Sequence, residues 1–214
     1  MADRALLFID GNNWYHALCD VGVEDRARLD YKRISEKLVG PREWIGTRYY
    51  IGQVTQQQGE KVYAQQRSFL AKLQNTDARI SVHLGRIEPR TTVNDAAKEL
   101  REYLATLKTK IDPTIYADLS GIAKRHSHTA VFVEKAVDVH LAIDFVTLAI
   151  KDAYDAAYLL TADGDYTPAV DAVRALGKKV YAACPLPGAQ LAKAVNSFIR
   201  IVPAWFDDCY AVNE

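Results

Sequence analysis

The sequence predicts an α/β protein in which a mostly parallel sheet carries helices on both faces, and three observations lead there. Short apolar runs alternate with longer amphipathic stretches along the chain. Several runs are continuous rather than alternating, as strands buried on both faces require. Turn formers punctuate the segments where one type gives way to the other. A β-α-β-α order of this kind closes most simply as a three-layer α/β/α sandwich, with its site at the carboxyl ends of the strands.

The first strand is Ala5-Leu6-Leu7-Phe8-Ile9, ending in the turn sequence Asp10-Gly11-Asn12-Asn13. Trp14 and Tyr15 follow it, and core packing of a first helix suits them better than base stacking. Further strands are expected at Trp44 to Ile51, Arg79 to Leu84, Ala157 to Thr161, Lys179 to Ala183 and Phe198 to Val202, with a short one at Thr129 to Val133. Helices are expected at Asp30 to Leu38, Gln57 to Leu73, Val137 to Ile150, Pro168 to Leu176 and Gly188 to Val195. Thr167-Pro168 supplies a start signal and Gly177 a stop. Between Glu88 and Glu134 the rhythm breaks. Asn94 opens a helix there whose apolar residues Ala97, Leu100, Leu104 and Leu107 share one face, able to pack on their own core or to form a dimer contact. The expectation is one domain over residues 1–214, with an insertion at about 88–134.

Composition narrows the classes of function. With 27 Lys plus Arg against 27 Asp plus Glu, the net charge is zero, so a polyanion has to be held locally rather than by a global field. Arg86, Arg90, Lys108, Lys110, Lys124 and Arg125 offer a contact surface, diluted by Glu99, Glu102, Asp112 and Asp118. Cys19, Cys184 and Cys209 have no zinc spacing, and His126-Ser127-His128 has no further ligand near it in sequence. No segment reads as a membrane span or a signal sequence, so a soluble cytoplasmic chain is expected.

Acids at strand ends carry the chemistry. Asp10 follows one apolar run; Asp163 follows another, and Gly164 allows the bend that brings in Asp165. Asp138 stands at the start of the long apolar helix. A single such aspartate is more often a helix cap than a ligand. Four at the ends of separate segments form a set, however, and their repulsion calls for a cation. Hard oxygen donors favour Mg²⁺ or Mn²⁺.

Three blocks resemble the NYN domain of the LabA-like group, a branch of the PIN-like nucleases. They are Phe8-Ile9-Asp10-Gly11-Asn12-Asn13, then Lys135-Ala136-Val137-Asp138-Val139 with Leu141-Ala142-Ile143-Asp144, then Thr161-Ala162-Asp163-Gly164-Asp165-Tyr166 with Pro168-Ala169-Val170. The sequence departs from the family where Ala136 replaces the usual glycine and where Ala162 with Gly164 replaces the commoner glycine and serine. The resemblance implies a PIN-like fold and metal-dependent hydrolysis of RNA, with Asp10, Asp138, Asp163 and Asp165 as catalytic, metal-binding residues and Asn13 as the motif asparagine. Lys135 lies about one helical turn before Asp138, placed either to neutralise a phosphate or to sit in solvent. Asp144, about 9 Å further along the helix, is expected to support rather than ligate.

Other readings stay open. A regulatory or RNA-binding module would keep the acidic pocket without cleaving, as a monomer or a homodimer. A haloacid-dehalogenase-type phosphatase wants an acid where Asn12 stands, and a dinucleotide-binding fold wants a glycine pattern that the first turn lacks.

Overall fold

A computed structural model describes residues 2–211. Its chain divides into two compact units, Met1–Arg86 with Glu134–Glu214, and Ile87–Val133. Seven strands alternate with helices: β1 (Arg4–Asp10), β2 (Glu43–Gln53), β3 (Ile80–Val93), β4 (His128–Lys135), β5 (Ala156–Leu160), β6 (Lys179–Cys184) and β7 (Ser197–Arg200). They stand in the order β4-β3-β2-β1-β5-β6-β7. β1 pairs in parallel with both β2 and β5, and parallel pairing continues outwards to β3 on one side and to β6 and β7 on the other.

The larger unit has three layers because β1 is apolar at every position from Ala5 to Ile9. Ala5, Leu7 and Ile9 face one core and Leu6 and Phe8 the other, as the two-residue period of a strand dictates. The first core is closed by α1 (Gly11–Asp20), α2 (Tyr31–Val39) and α3 (Glu60–Thr76), through Trp14, Leu18, Ile34, Leu38 and Leu73. The second is closed by α6 (Val137–Ile150), α7 (Thr167–Ala175) and the short α8 (Leu191–Ala194), through Leu141, Phe145, Val170, Val173 and Leu191. Trp14 is fully buried, edge-on to Phe206, whereas Tyr15 is exposed beneath the Arg26 guanidinium.

In the smaller unit, α4 (Asp95–Leu107) and α5 (Pro113–Arg125) lie between the outer parts of β3 and β4. Ala97 and Leu104 of the expected apolar face are buried, but Leu100 is exposed. The second helix was not foreseen, although its start is written in Asp112-Pro113: the aspartate accepts from the Thr114 and Ile115 N–H groups, and proline takes the first turn. β3 runs nine residues past the expected Leu84. Its pairing with β2 covers Ile80 to Arg86, so Pro89 falls beyond the ladder it would interrupt. The last helix, expected from Gly188 to Val195, spans Leu191–Ala194, and the Ala192 N–H still donates to the Gly188 carbonyl at 2.7 Å. Among the described residues no helix is long and apolar enough to cross a membrane.

One junction is strained. Ala136, between β4 and α6, has φ +69°, a left-handed conformation that costs an L-residue about 1–2 kcal/mol. It stands where the resembling family has glycine. Ala136→Gly should stabilise the protein by about 0.5–1 kcal/mol, since glycine's greater freedom in the unfolded chain takes back part of the strain relief. Urea denaturation measures the difference, and a loss of stability would show that the junction is relaxed.

Candidate active site

The strand order turns at the centre of the sheet. From β1 the chain first adds β2 and β3 on one side, then returns to add β5, β6 and β7 on the other. The loops after β1 and β5 therefore diverge and leave a crevice at their carboxyl ends, the place where ligands bind in open α/β sheets. Asp10 ends β1, and Asp163 follows β5 by three residues.

Local structure holds these two aspartates in place. Asp10 is the N-cap of α1, with Oδ1 accepting the Asn13 N–H at 3.1 Å. Gly11 makes the sharp entry possible, because a Cβ there would lie 2.6 Å from the Tyr49 ring and 2.7 Å from the Tyr50 carbonyl oxygen. Asp163 caps the next turn in the same way, accepting the Asp165 N–H at 2.9 Å. The Asn13 side chain joins the two loops: its Oδ1 accepts the Ala162 N–H at 3.0 Å.

Asp138 arrives from the first turn of α6. Between it and Asp10 lies the Tyr166 hydroxyl, 3.1 Å from Asp138 Oδ1 and 3.2 Å from Asp10 Oδ2. Tyr166 is itself buried, and burial together with the two neighbouring carboxylates drives its pKa far above that of a free phenol. A hydroxyl has one proton to give, so it cannot satisfy two ionised carboxylates at once. Asp10 is 4% exposed. Its burial is the main cause that raises its pKa to about 6; the charges of Asp138 and Asp163 add to this, while the bonds from Asn13 and Tyr166 oppose it.

Glu134 is a further acid at the site. Burial raises its pKa against the bond donated by the Gly52 N–H, and the charges of Asp10 and Asp138 raise it further. Sequence reasoning passed over it, although it follows Val131-Phe132-Val133 as directly as Asp10 follows its own apolar run. No sequence signal marks the Tyr166 hydroxyl, whose place depends on how the turn after Asp165 packs.

The structure thus brings Asp10, Asp138 and Asp163 into one electrostatic group, with Glu134 beside them, but it does not gather all four expected aspartates. Asp165 is exposed and lines a groove with Thr167, Pro168, Asp171, Gln190 and Lys193, while its backbone N–H donates to Asp163. Lys135 is exposed at the end of β4. Asp144 belongs to a separate network, accepting from Arg48 Nη2 at 2.7 Å and Tyr50 OH at 2.8 Å. Burial would raise its pKa, but those partners outweigh burial and lower it.

The donor set fits a hard divalent cation in its chemistry: anionic oxygens, partly desolvated, whose charges disfavour one another. Among the described residues, no three His, Cys, Asp or Glu side chains stand close enough together as placed to hold an ion. Asp10 and Asp138 are separated by the Tyr166 hydroxyl, so this carboxylate pair is the nucleus of the site.

Comparisons with known proteins agree with the architecture. The family model of the NYN domain matches residues 100–202, a span that contains Lys135, Asp138, Asp144, Asp163 and Asp165 and leaves Asp10 and Asn13 outside. The crystal structure of a protein of unknown function from Vibrio parahaemolyticus is similar over 98% of this chain and 97% of that one, with a TM-score of 0.56 and 17% identity, and so shares the fold. No curated protein matches the chain.

Two predictions follow from the electrostatics. A carboxyl whose pKa is raised on folding lends stability below its unfolded value near 3.8, and that stability is lost as pH rises through about 6. Asp10→Asn should therefore stabilise the metal-free protein at pH 7.5 by about 1–3 kcal/mol, an advantage that fades as the pH falls towards 4. Asparagine caps a helix as well as aspartate does, so α1 keeps its start. Urea titrations across that range in EDTA test this, and equal stability at pH 7.5 would contradict it. Tyr166→Phe keeps the ring and removes the donor, so the Asp10 carboxyl should titrate above 6. Carbon-13 NMR of the carboxyl reads this directly, and an unmoved titration would mean that the hydroxyl does not serve Asp10.

Proposed function

We propose, taking the NYN match as premise, that this protein is a metal-dependent ribonuclease of the PIN-like type and a member of the LabA-like group. The observation that carries the proposal is the Asp10–Asp138 pair about a buried hydroxyl, with Asp163 near enough to act on Asp10 electrostatically, at the point where the sheet reverses. A structural role alone gives no reason to pay the electrostatic cost of placing these acids together.

Asp10, Asp138 and Asp163 would hold Mg²⁺ or Mn²⁺, with Asp165 contributing from the same turn. When bound, such an ion supplies an activated water and neutralises charge on the phosphoryl group. The chain's own residues do the positioning. Asn13 fixes the Asp10 loop to the Asp163 loop, and Tyr166 holds the Asp10 and Asp138 carboxylates in register until their charge is neutralised. Glu134, with its pKa raised, is placed to accept or hold a proton at the edge of the site. Lys135 offers a cation to a backbone phosphate, and Asp144, tied to Arg48 and Tyr50, fixes α6 so that Asp138 keeps its position. In this reading the chain is one NYN domain with 88–134 as an insertion, it works in the cytoplasm on RNA, and a homodimer is compatible with it.

The test uses pure protein, labelled RNA, and Mg²⁺, Mn²⁺ or EDTA. Cleavage should need the metal, and Asp10→Asn, Asp138→Asn and Asp163→Asn should each lower it by a factor of about 10² or more. Saturating metal should also raise the wild-type melting temperature, since a ligand at a hundred times its Kd adds about 2.7 kcal/mol. RNA binding without cleavage under every condition would instead identify a non-catalytic RNA-binding module.

A further inference from the structure

The smaller unit, Ile87–Val133, buries little of its own apolar surface. Among its residues only Ala97, Leu104 and Ala123 are buried, and two of these are alanines. α4 and α5, 13 residues each, pack against each other as an antiparallel hairpin whose far ends are joined by the Asn94 N–H donating to the Ser127 carbonyl at 2.9 Å. Each helix nevertheless leaves an apolar stripe open to solvent. On α4 it runs through Leu100, Tyr103 and the half-buried Leu107, and on α5 through Ile115, Leu119 and Ile122, spaced three and four residues apart as one helix face requires. Tyr103 is 61% exposed and Ile115 is 54% exposed.

The two stripes lie on one side of the hairpin. At about 100° per residue, the α4 stripe is centred roughly 75° from the line of Ala97 and Leu104, and the α5 stripe roughly 75° from Ala123, in the same sense of rotation. The buried residues turn towards each other, and in antiparallel helices an equal rotation in one sense carries both stripes to the same side. The result is a face two helices wide and about 20 Å long, with no charged side chain in it. It has the form of half a four-helix bundle.

We propose that a second copy of this chain covers this face, so that two α4–α5 hairpins stack as a four-helix bundle about a two-fold axis parallel to the helices. An isologous contact sets like against like, which an uncharged face permits without repulsion. An RNA strand would call for cations here, not aliphatic side chains. The edges of the face fix the direction. About this axis α4 of one copy lies antiparallel over α5 of the other, and the Asn94–Ser127 bond sets the start of α4 level with the end of α5. Asp95 and Glu99, one turn apart on the outer edge of α4, then come opposite Arg125 on the outer edge of α5 in the second copy, and the two-fold axis makes this contact twice. All three are exposed, and among the described residues none has an ion-pair partner within the chain. The face is small for a specific interface, so the dimer should dissociate on dilution.

Sedimentation equilibrium of the full chain should show a monomer–dimer equilibrium, with a melting temperature that rises with protein concentration. Ile115→Glu should weaken the dimer by a factor of about 10 or more, because it places a carboxylate inside the stacked face. In the first turn of α5 a negative charge suits the helix itself, so the hairpin keeps its fold, and circular dichroism checks this. Glu99→Arg and Arg125→Glu should each weaken the dimer about three-fold, and the double variant should recover towards wild type. A wild type that stays monomeric at every concentration, or a dimer that Ile115→Glu leaves intact, overturns the inference. A double variant no tighter than the single ones overturns it as well, since the stacking direction would then be wrong. RNA cleavage by a strictly monomeric wild type would sink the dimer and leave the nuclease reading standing; a dimer that responds as expected but cleaves nothing would do the reverse.

Discussion

The burial of β1 on both faces is the constraint from which the rest of the site follows. Ala5, Leu7 and Ile9 are committed to one core and Leu6 and Phe8 to the other, so a polar side chain on this strand has a place only at the end. Asp10 takes that place. It is nonetheless only 4% exposed, with the Tyr166 hydroxyl against its Oδ2, and burial raises its pKa. Parallel pairing with β5 then sets the next loop beside it, and the length of that loop decides where Asp163 stands.

Capping and site formation are two uses of the same atoms here. Asp10 and Asp163 each accept a backbone N–H from the turn they begin, as Asp30, Asn94 and Asp112 also do. The difference lies in surroundings rather than local geometry. Asp112 caps α5 in the open, and the N–H bonds it accepts lower its pKa. Asp10 accepts a comparable bond, yet burial and the charges of Asp138 and Asp163 outweigh it and move its pKa the other way. A capping bond alone therefore says little about function. The sign of the resulting shift says more, because it records which contribution wins.

Glycines and one alanine show how closely the elements must approach to assemble the site. Gly11 admits the Tyr49 ring, and Gly85 of β3 lets the start of α6 come near, where a Cβ would meet Val137 at 2.3 Å. Ala136, at φ +69°, bends β4 into α6 and delivers Asp138 to Asp10, at the cost of strain. Asn13 adds a bond between loops 149 residues apart in sequence.

The sequence by itself determined the layered α/β architecture, because the apolar period of each segment depends only on which faces are buried, and Ala5 to Ile9 or Ala157 to Leu160 leave no face for water. It also marked Asp10, Asp138 and Asp163 as acids at the ends of such segments. Sequence did not decide which acids meet. Glu134 joins the group because β4 ends beside Gly52, whereas Asp165 stays exposed, its backbone N–H capping Asp163. The place of the Tyr166 hydroxyl, and the groove between α7 and α8, depend on packing between residues far apart in the chain. Local pattern fixes a side chain's face and its neighbours along one element, whereas convergence on a point is set by strand order, loop length and close approach, which exist only in the folded molecule.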